Sequence, residues 1–86
     1  MNAYPLTVAS PDGNLFCGEA VSLSLRGADG DLAVLAGHIP FATSVQPCDF
    51  HIELPDGSVK HGHTEGGILN VAQDAVVLLS SSAHWI

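Results

Sequence analysis

The residues of this 86-residue chain best suited to chemistry are five histidines, His38, His51, His61, His63 and His84. His61 and His63 are two positions apart, so on a strand both rings share one face, a spacing that can bind zinc. Zinc requires a third or fourth ligand on that face. The Asp56-Gly57 pair suits a two-residue type I′ hairpin turn, in which both central residues take positive φ. Such a turn sets Glu53 opposite Lys60 as an exposed ion pair worth ~0–1 kcal/mol. It also sets Ile52 opposite His61 and Phe50 opposite His63. Apolar groups then stand where further ligands are needed, and His51 falls on the other face. No metal ligands are expected, and the two rings are read as amphipathic fillers of the apolar side. A metal-binding protein built on His61 and His63 is the alternative.

Other chemistry has less support. No Gly-x-Ser-x-Gly elbow exists, and Ser80-Ser81-Ser82 reads as a polar strand end. Cys17 and Cys48 form no Cys-x-x-Cys motif and are expected to be free thiols. Asp29 and Asp31 flank Gly30 in a turn, where solvated acids are more ordinary than an acid–base pair. Gly27-Ala28-Asp29-Gly30 has no following helix and no phosphate-binding lysine, so it is not a phosphate loop. No catalytic residues and no cofactor are expected, and a binding or structural module is favoured over an enzyme.

The elements that would carry these residues are strands. Turn signals recur at Ser10–Gly13, Arg26–Gly30, Gln46-Pro47, Pro55–Gly57, Glu65–Gly67 and Gln73-Asp74. Between them lie short alternating or apolar runs: Leu6 to Ser10, Val21 to Leu25, Leu32 to Leu35, Phe41 to Val45, Phe50 to Leu54, Ser58 to His63, Ile68 to Val71 and Ala75 to Leu79. No segment has a helical period. One all-β domain over residues 1–86 follows, with an apolar fraction of 47% that suits a packed core. A domain of this size buries only about 60–65% of its unfolded surface, so a partner surface is a natural complement. The formal charge is −7, with Arg26 and Lys60 as the only basic residues besides histidine, which disfavours nucleic acid and anionic lipid. The longest near-apolar run, Ala75 to Leu79, is far short of the roughly 20 residues of a spanning helix, and Met1–Pro5 has no signal-peptide character.

Three pieces of the sequence resemble one family. Arg26 to Pro47 carries a glycine/acid turn, an apolar strand and a Gly37-His38-x-Pro40 segment followed by another strand. Phe16-x-Gly18 precedes Val21-x-Leu23-x-Leu25, and Gly66-Gly67-Ile68-Leu69-x-Val71 follows. In this order and spacing, over roughly Tyr4 to Ser82, they look like the epsilon subunit of F-type ATP synthases. The resemblance implies a flattened antiparallel β-sandwich of about ten short strands. It implies a non-catalytic rotor subunit linking the gamma subunit to the c-subunit ring, peripheral on the cytoplasmic face of the membrane without insertion. Family geometry directs Asp29, Gly30 and Asp31 to the ring loops. Ser10, Gly37, His38 and Thr43 are the candidates for the gamma side. Ala36 and Cys48 depart from the family's usual proline and glycine, which bears on loop shape. Family members usually continue into a two-helix domain that regulates hydrolysis and in some binds ATP; neither is expected of this chain, which ends at Ile86. A stand-alone adaptor with the same fold is a further alternative. Gly66-Gly67 suggests a bulge or close backbone approach, and Trp85 is expected to pack on the sandwich or meet a partner.

Overall fold

The computed structural model describes residues 2–86. Ten strands follow in chain order: β1 (Tyr4–Ser10), β2 (Gly13–Ala20), β3 (Ser22–Gly27), β4 (Gly30–Leu35), β5 (Phe41–Val45), β6 (Cys48–Glu53), β7 (Val59–Thr64), β8 (Gly67–Val71), β9 (Val76–Ser80) and β10 (Ala83–Trp85). Eight of them fall where alternation and turn residues predict strands. β2 and β10 lack a comparable signal. β2 carries two glycines and is mostly exposed, and β10 has three residues.

The hydrogen-bonded order is β10-β7-β6-β3-β5-β8-β9-β1-β2, with β4 on the other edge of β3. The path folds over where β3 meets β5 through the single pair Gly27–Val45. One layer is then β4-β3-β6-β7-β10 and the other β5-β8-β9-β1-β2. The phenol of Tyr4 on β1 crosses between layers to donate to the Val34 carbonyl on β4 at 2.7 Å, and burial pushes its pKa up to about 12. At the far edges, Phe16 of β2 meets Trp85 of β10 edge-on at 6.2 Å. Trp85 also packs on Phe50 and receives the Lys60 ammonium over its ring, so it joins the sandwich as expected. The pairing is antiparallel except for β1 against β9, which run parallel.

Alternation dictates the core. Leu6 and Val8, Leu23 and Leu25, Phe50 and Ile52, Leu69 and Val71, and Val76 and Val8's neighbour Leu78 all point inward. Each such side chain contributes about 1.5–3 kcal/mol of burial. The corner where β7 turns toward β8 is polar, yet no buried side-chain polar atom among the described residues lacks a partner. Thr64 and Ser80 hydroxyls pair at 2.5 Å, and Thr64 accepts from the Gly66 amide. Ser80 is the polar end of β9, as its sequence neighbours suggest, and is in addition buried. Both cysteines are free. No helix among the described residues is long and apolar enough to cross a membrane.

The β6–β7 hairpin differs from expectation. Its turn has three residues, Pro55-Asp56-Gly57. Leu54 and Ser58 close it: the Leu54 amide donates to the Ser58 carbonyl, and the Gly57 amide donates back to Leu54. Only Gly57 has positive φ, at 89°. Pro55 presets φ for the first position of a type I turn, and glycine then takes the left-handed position, so Asp56 never has to. Asp56 instead accepts from the Ser58 amide and hydroxyl, contacts that hold its carboxyl below the usual value. The pairing shifts by one residue, which turns the β7 side chains to the opposite face while Phe50 and Ile52 of β6 point inward as expected. Glu53 stands opposite Val59, Ile52 opposite Lys60, His51 opposite His61, Phe50 opposite Gly62 and Asp49 opposite His63. The expected Glu53–Lys60 pair does not form, and the two histidines are not core fillers.

Candidate functional site

Two corners and one sheet face hold the residues that could act. The first corner is the loop between β4 and β5. Gly37 turns the chain with φ of +82°, which places His38 beneath the loop. Its Nδ1 lies 2.8 Å from the Leu35 carbonyl and its Nε2 2.6 Å from the Ala72 carbonyl, while the ring stands edge-on to Tyr4. A neutral ring donates to one of these carbonyls and an imidazolium to both. His38 therefore pins the loop to the β8–β9 turn. Around it Leu35, Ile39 and Phe41 are 56%, 81% and 42% exposed, an apolar corner bound to a fixed frame. Sequence reading placed Leu35 in a strand without predicting its exposure. Counting by twos from buried Val34 is the signal that would have turned it outward.

The second corner is the β3–β4 turn. Ala28 and Asp29 cross between the paired Gly27 and Gly30. Asp29 and Asp31 are both exposed, as expected of turn acids. Asp31 accepts from the Arg26 Nε at 3.1 Å, whereas no ion pair among the described residues involves Asp29. Thr43, midway along β5, faces the inner side of Gly27 at the base of this turn. Ser10 lies elsewhere than His38. In the β5-β8-β9-β1 layer, Gly37 and His38 adjoin the Phe41–Val71–Val76 end, and Ser10 follows Ala9 at the opposite end, near Ser80. The structure thus keeps Gly37 and His38 together and separates them from Ser10 by the length of a strand.

The shifted hairpin assembles the sheet face. His51 and His61 are cross-strand partners with Nδ1 atoms 2.6 Å apart. In the next row Asp49, His63 and His84 stand side by side. His63 is held at both nitrogens, by Asp49 at 2.8 Å and Glu65 at 2.9 Å. Sequence reading missed Asp49 and Glu65; the three-residue turn is what places Asp49 opposite His63. The carboxylate of Asp49, then that of Glu65, raises the His63 pKa above its ordinary value of 6.5. A group whose folded pKa is raised stabilises the fold fully below its unfolded value. His63's contribution is therefore lost as pH rises from about 6.5 through the higher folded value. A histidine NMR titration is expected to place the His63 midpoint above 6.5. Asp49→Asn should lower that midpoint more than Glu65→Gln does. An unmoved midpoint in Asp49→Asn would show that this ion pair is absent in solution. No group of three or more potential ligands within reach of one metal ion exists among the described residues.

Comparison with known proteins adds a family. Residues 3–86 match the family described as ATP synthase, Delta/Epsilon chain, beta-sandwich domain. The chain is 36% identical over 83 residues to the ATP synthase epsilon chain of Delftia acidovorans, covering 96% of this chain and 60% of that one. It is 34% identical over 83 residues to the epsilon chain of Persephonella marina, with 96% and 61% covered. It therefore spans about 60% of the length of these curated relatives. Among solved structures, a chain of the Euglena gracilis mitochondrial ATP synthase is similar in fold, with a TM-score of 0.90 at 21% identity over 96% of this chain and 53% of that one. A chain from the central stalk and c-ring of the Tetrahymena thermophila mitochondrial ATP synthase has a TM-score of 0.78 at 12% identity, with 96% and 66% covered.

Proposed function

The chain belongs to the ATP synthase delta/epsilon β-sandwich family, and from that membership we propose that it is a non-catalytic subunit of the central stalk that joins the gamma subunit to the c-subunit ring during ion-driven ATP synthesis. The observation that carries this reading is the family match across residues 3–86. The task is mechanical. Torque passes through a body only if its contact surfaces keep a fixed separation, and ten strands around one core provide such a body. In this reading the protein sits peripherally on the cytoplasmic face of the membrane as part of the synthase.

Two features support separate docking regions. The apolar corner of Leu35, Ile39 and Phe41 around Gly37 and His38 suits a protein partner, here the gamma subunit, whereas Thr43, the other gamma-side candidate, lies against Gly27 at the base of the acidic turn. Ser10 is a gamma-side candidate only if the gamma subunit reaches the other end of that layer. The acidic turn Asp29-Gly30-Asp31 suits polar, cation-bearing loops, here those of the c ring. Because Arg26 already engages Asp31, Asp29 is the less encumbered carboxylate.

Co-expression with the gamma subunit of the same organism, followed by gel filtration and calorimetry, tests the reading. A stable one-to-one complex is expected, and a folded chain that forms none would overturn it. Within the assembled synthase, Asp31→Lys should lower the coupling of ATP hydrolysis to ion pumping. The exposed Arg26–Asp31 pair is worth only ~0–1 kcal/mol, so folding should barely change. Unaltered coupling would remove Asp31 from the ring contact.

A further inference from the structure

We propose that His51 and His61 form a two-imidazole clamp for a divalent transition-metal ion that accepts nitrogen ligands at right angles, Cu2+ above all. The two residues are direct cross-strand partners on β6 and β7, so the backbone ladder fixes their spacing. Their rings meet edge-on with centroids 4.7 Å apart and Nδ1 atoms 2.6 Å apart. Both side chains are exposed, so an ion reaches them without opening the core. An open groove of about 750 Å3, lined by His51 with Asp49, His63, Cys48 and Arg26 but not by His61, borders the pair on the His51 side and leaves room there for the ion's waters.

The distance selects the ion. With metal–nitrogen bonds of about 2.0–2.1 Å, two ligands at 90° lie about 2.9 Å apart and two tetrahedral ligands about 3.3 Å apart. The observed 2.6 Å needs a rotation of the rings that opens about 0.3 Å for the right-angle case and about twice that for a tetrahedron. Tetragonal Cu2+ fits with the smaller adjustment, and it also heads the affinity order for nitrogen donors. Without metal, one neutral ring donates its Nδ1–H to the bare Nδ1 of the other. The ion takes both Nδ1 lone pairs. The donor ring then loses its Nδ1 proton to water and gains one at Nε2, so a neutral pair releases no net proton.

The rest of the histidine face does not complete a cage. His63 is bonded at both nitrogens to Asp49 and Glu65, and no larger ligand group gathers within reach of one ion among the described residues. Water therefore fills the remaining positions, which makes the site an exchangeable one and not a structural metal centre. The pair sits on β6 and β7, away from the His38 corner, while the groove beside His51 runs on to Arg26 and Asp31 at the base of the β3–β4 turn, so its occupancy is separable from docking at the His38 corner.

The test is Cu2+ titration of the chain carrying Cys17→Ser and Cys48→Ser, which removes the exposed thiol and the one lining the groove, read by calorimetry and electron paramagnetic resonance near pH 7.4. One Cu2+ per chain with a two-nitrogen signature is expected. His51→Ala or His61→Ala should each weaken binding at least ten-fold, while His63→Ala and His84→Ala leave it within two-fold. Binding that persists in the His51→Ala/His61→Ala double variant would overturn the assignment. So would an equal loss in His63→Ala, which would move the ion to the other row. Melting curves of all variants serve as the folding control, with His51→Gln and His61→Gln in place of any alanine variant that melts early.

Discussion

Gly67→Ala is expected to cost ~3 kcal/mol or more, which for a domain of this size lowers the melting temperature by about 12–24 °C. A Cβ at position 67 would lie 1.9 Å from the Leu79 carbonyl oxygen and 2.9 Å from the Leu79 carbonyl carbon and the Ser80 Cα. All three are backbone atoms, so no side chain can swing aside. Nor can β8 retreat, because Gly67 pairs with Ser80 on one side and Val45 on the other. Val45 in turn holds Gly27, the single pair through which the two layers join. Displacing β8 therefore strains the fold's own hinge. The whole stability of such a domain is only about 4–13 kcal/mol, so a loss of this size is a large fraction of it. Gly18→Ala is the matched control. Its Cβ would meet nothing closer than the Phe16 ring at 3.4 Å, on the mostly exposed strand β2, and a change within ~1 kcal/mol is expected. Urea or thermal unfolding of both variants decides the matter. A Gly67→Ala protein as stable as Gly18→Ala would mean that β8 and β9 are farther apart in solution than described.

That position was legible in the sequence for a physical reason. Two adjacent glycines in a strand forfeit side-chain packing, and a chain tolerates that only where backbone must come close or φ must be positive. Gly66 and Gly67 supply one of each. The same economy made most strands readable, since buried and exposed faces alternate and turns need glycine, proline or short acids. What remained hidden depended on single-residue choices. Asp56-Gly57 and Pro55-Asp56-Gly57 are both hairpin turns, and the local signal that ranks them is Pro55, which has no amide to close a two-residue turn against Ser58 but suits the first central position of a type I turn. The choice moved His61 and His63 from the core side to solvent, brought His51 onto their face and put Asp49 beside His63. Edge strands were hidden for another reason. β2 buries little, so its sequence carries little pattern. The candidate corners were only half legible: turn chemistry located Gly37 and Asp29, and alternation from buried Val34 would have turned Leu35 outward, but the exposure of Ile39 in the loop after β4 has no periodic signal.

The second large effect tests that hairpin register directly. Gly62→Ala is expected to cost about 2–3 kcal/mol, and Phe50→Leu added to it should recover part of the loss. Gly62 faces Phe50 across the ladder, and its added Cβ would lie 2.3 Å from Phe50 Cζ and within 2.8 Å of both Cε atoms. The ring cannot simply tilt away, because Phe50 is fully buried and packs against Trp85 at 6.1 Å. Its response is a strained rotamer or a pushed strand. Phe50→Leu alone opens a cavity at the same place and should cost about 1–3 kcal/mol. In the double variant the new methyl occupies space the ring has left, so the two losses should not add. A coupling of about 1–2 kcal/mol in the stabilising direction is expected from urea unfolding of the four proteins. The alternative register makes the opposite prediction. With a two-residue Asp56-Gly57 turn, residue 62 faces solvent, where alanine in place of glycine in a strand is neutral or stabilising by about 0.5–1 kcal/mol. A stabilised Gly62→Ala protein would therefore overturn the three-residue turn. The His51–His61 contact and the Asp49–His63 pair would fall with it, because all three rest on the same one-residue shift.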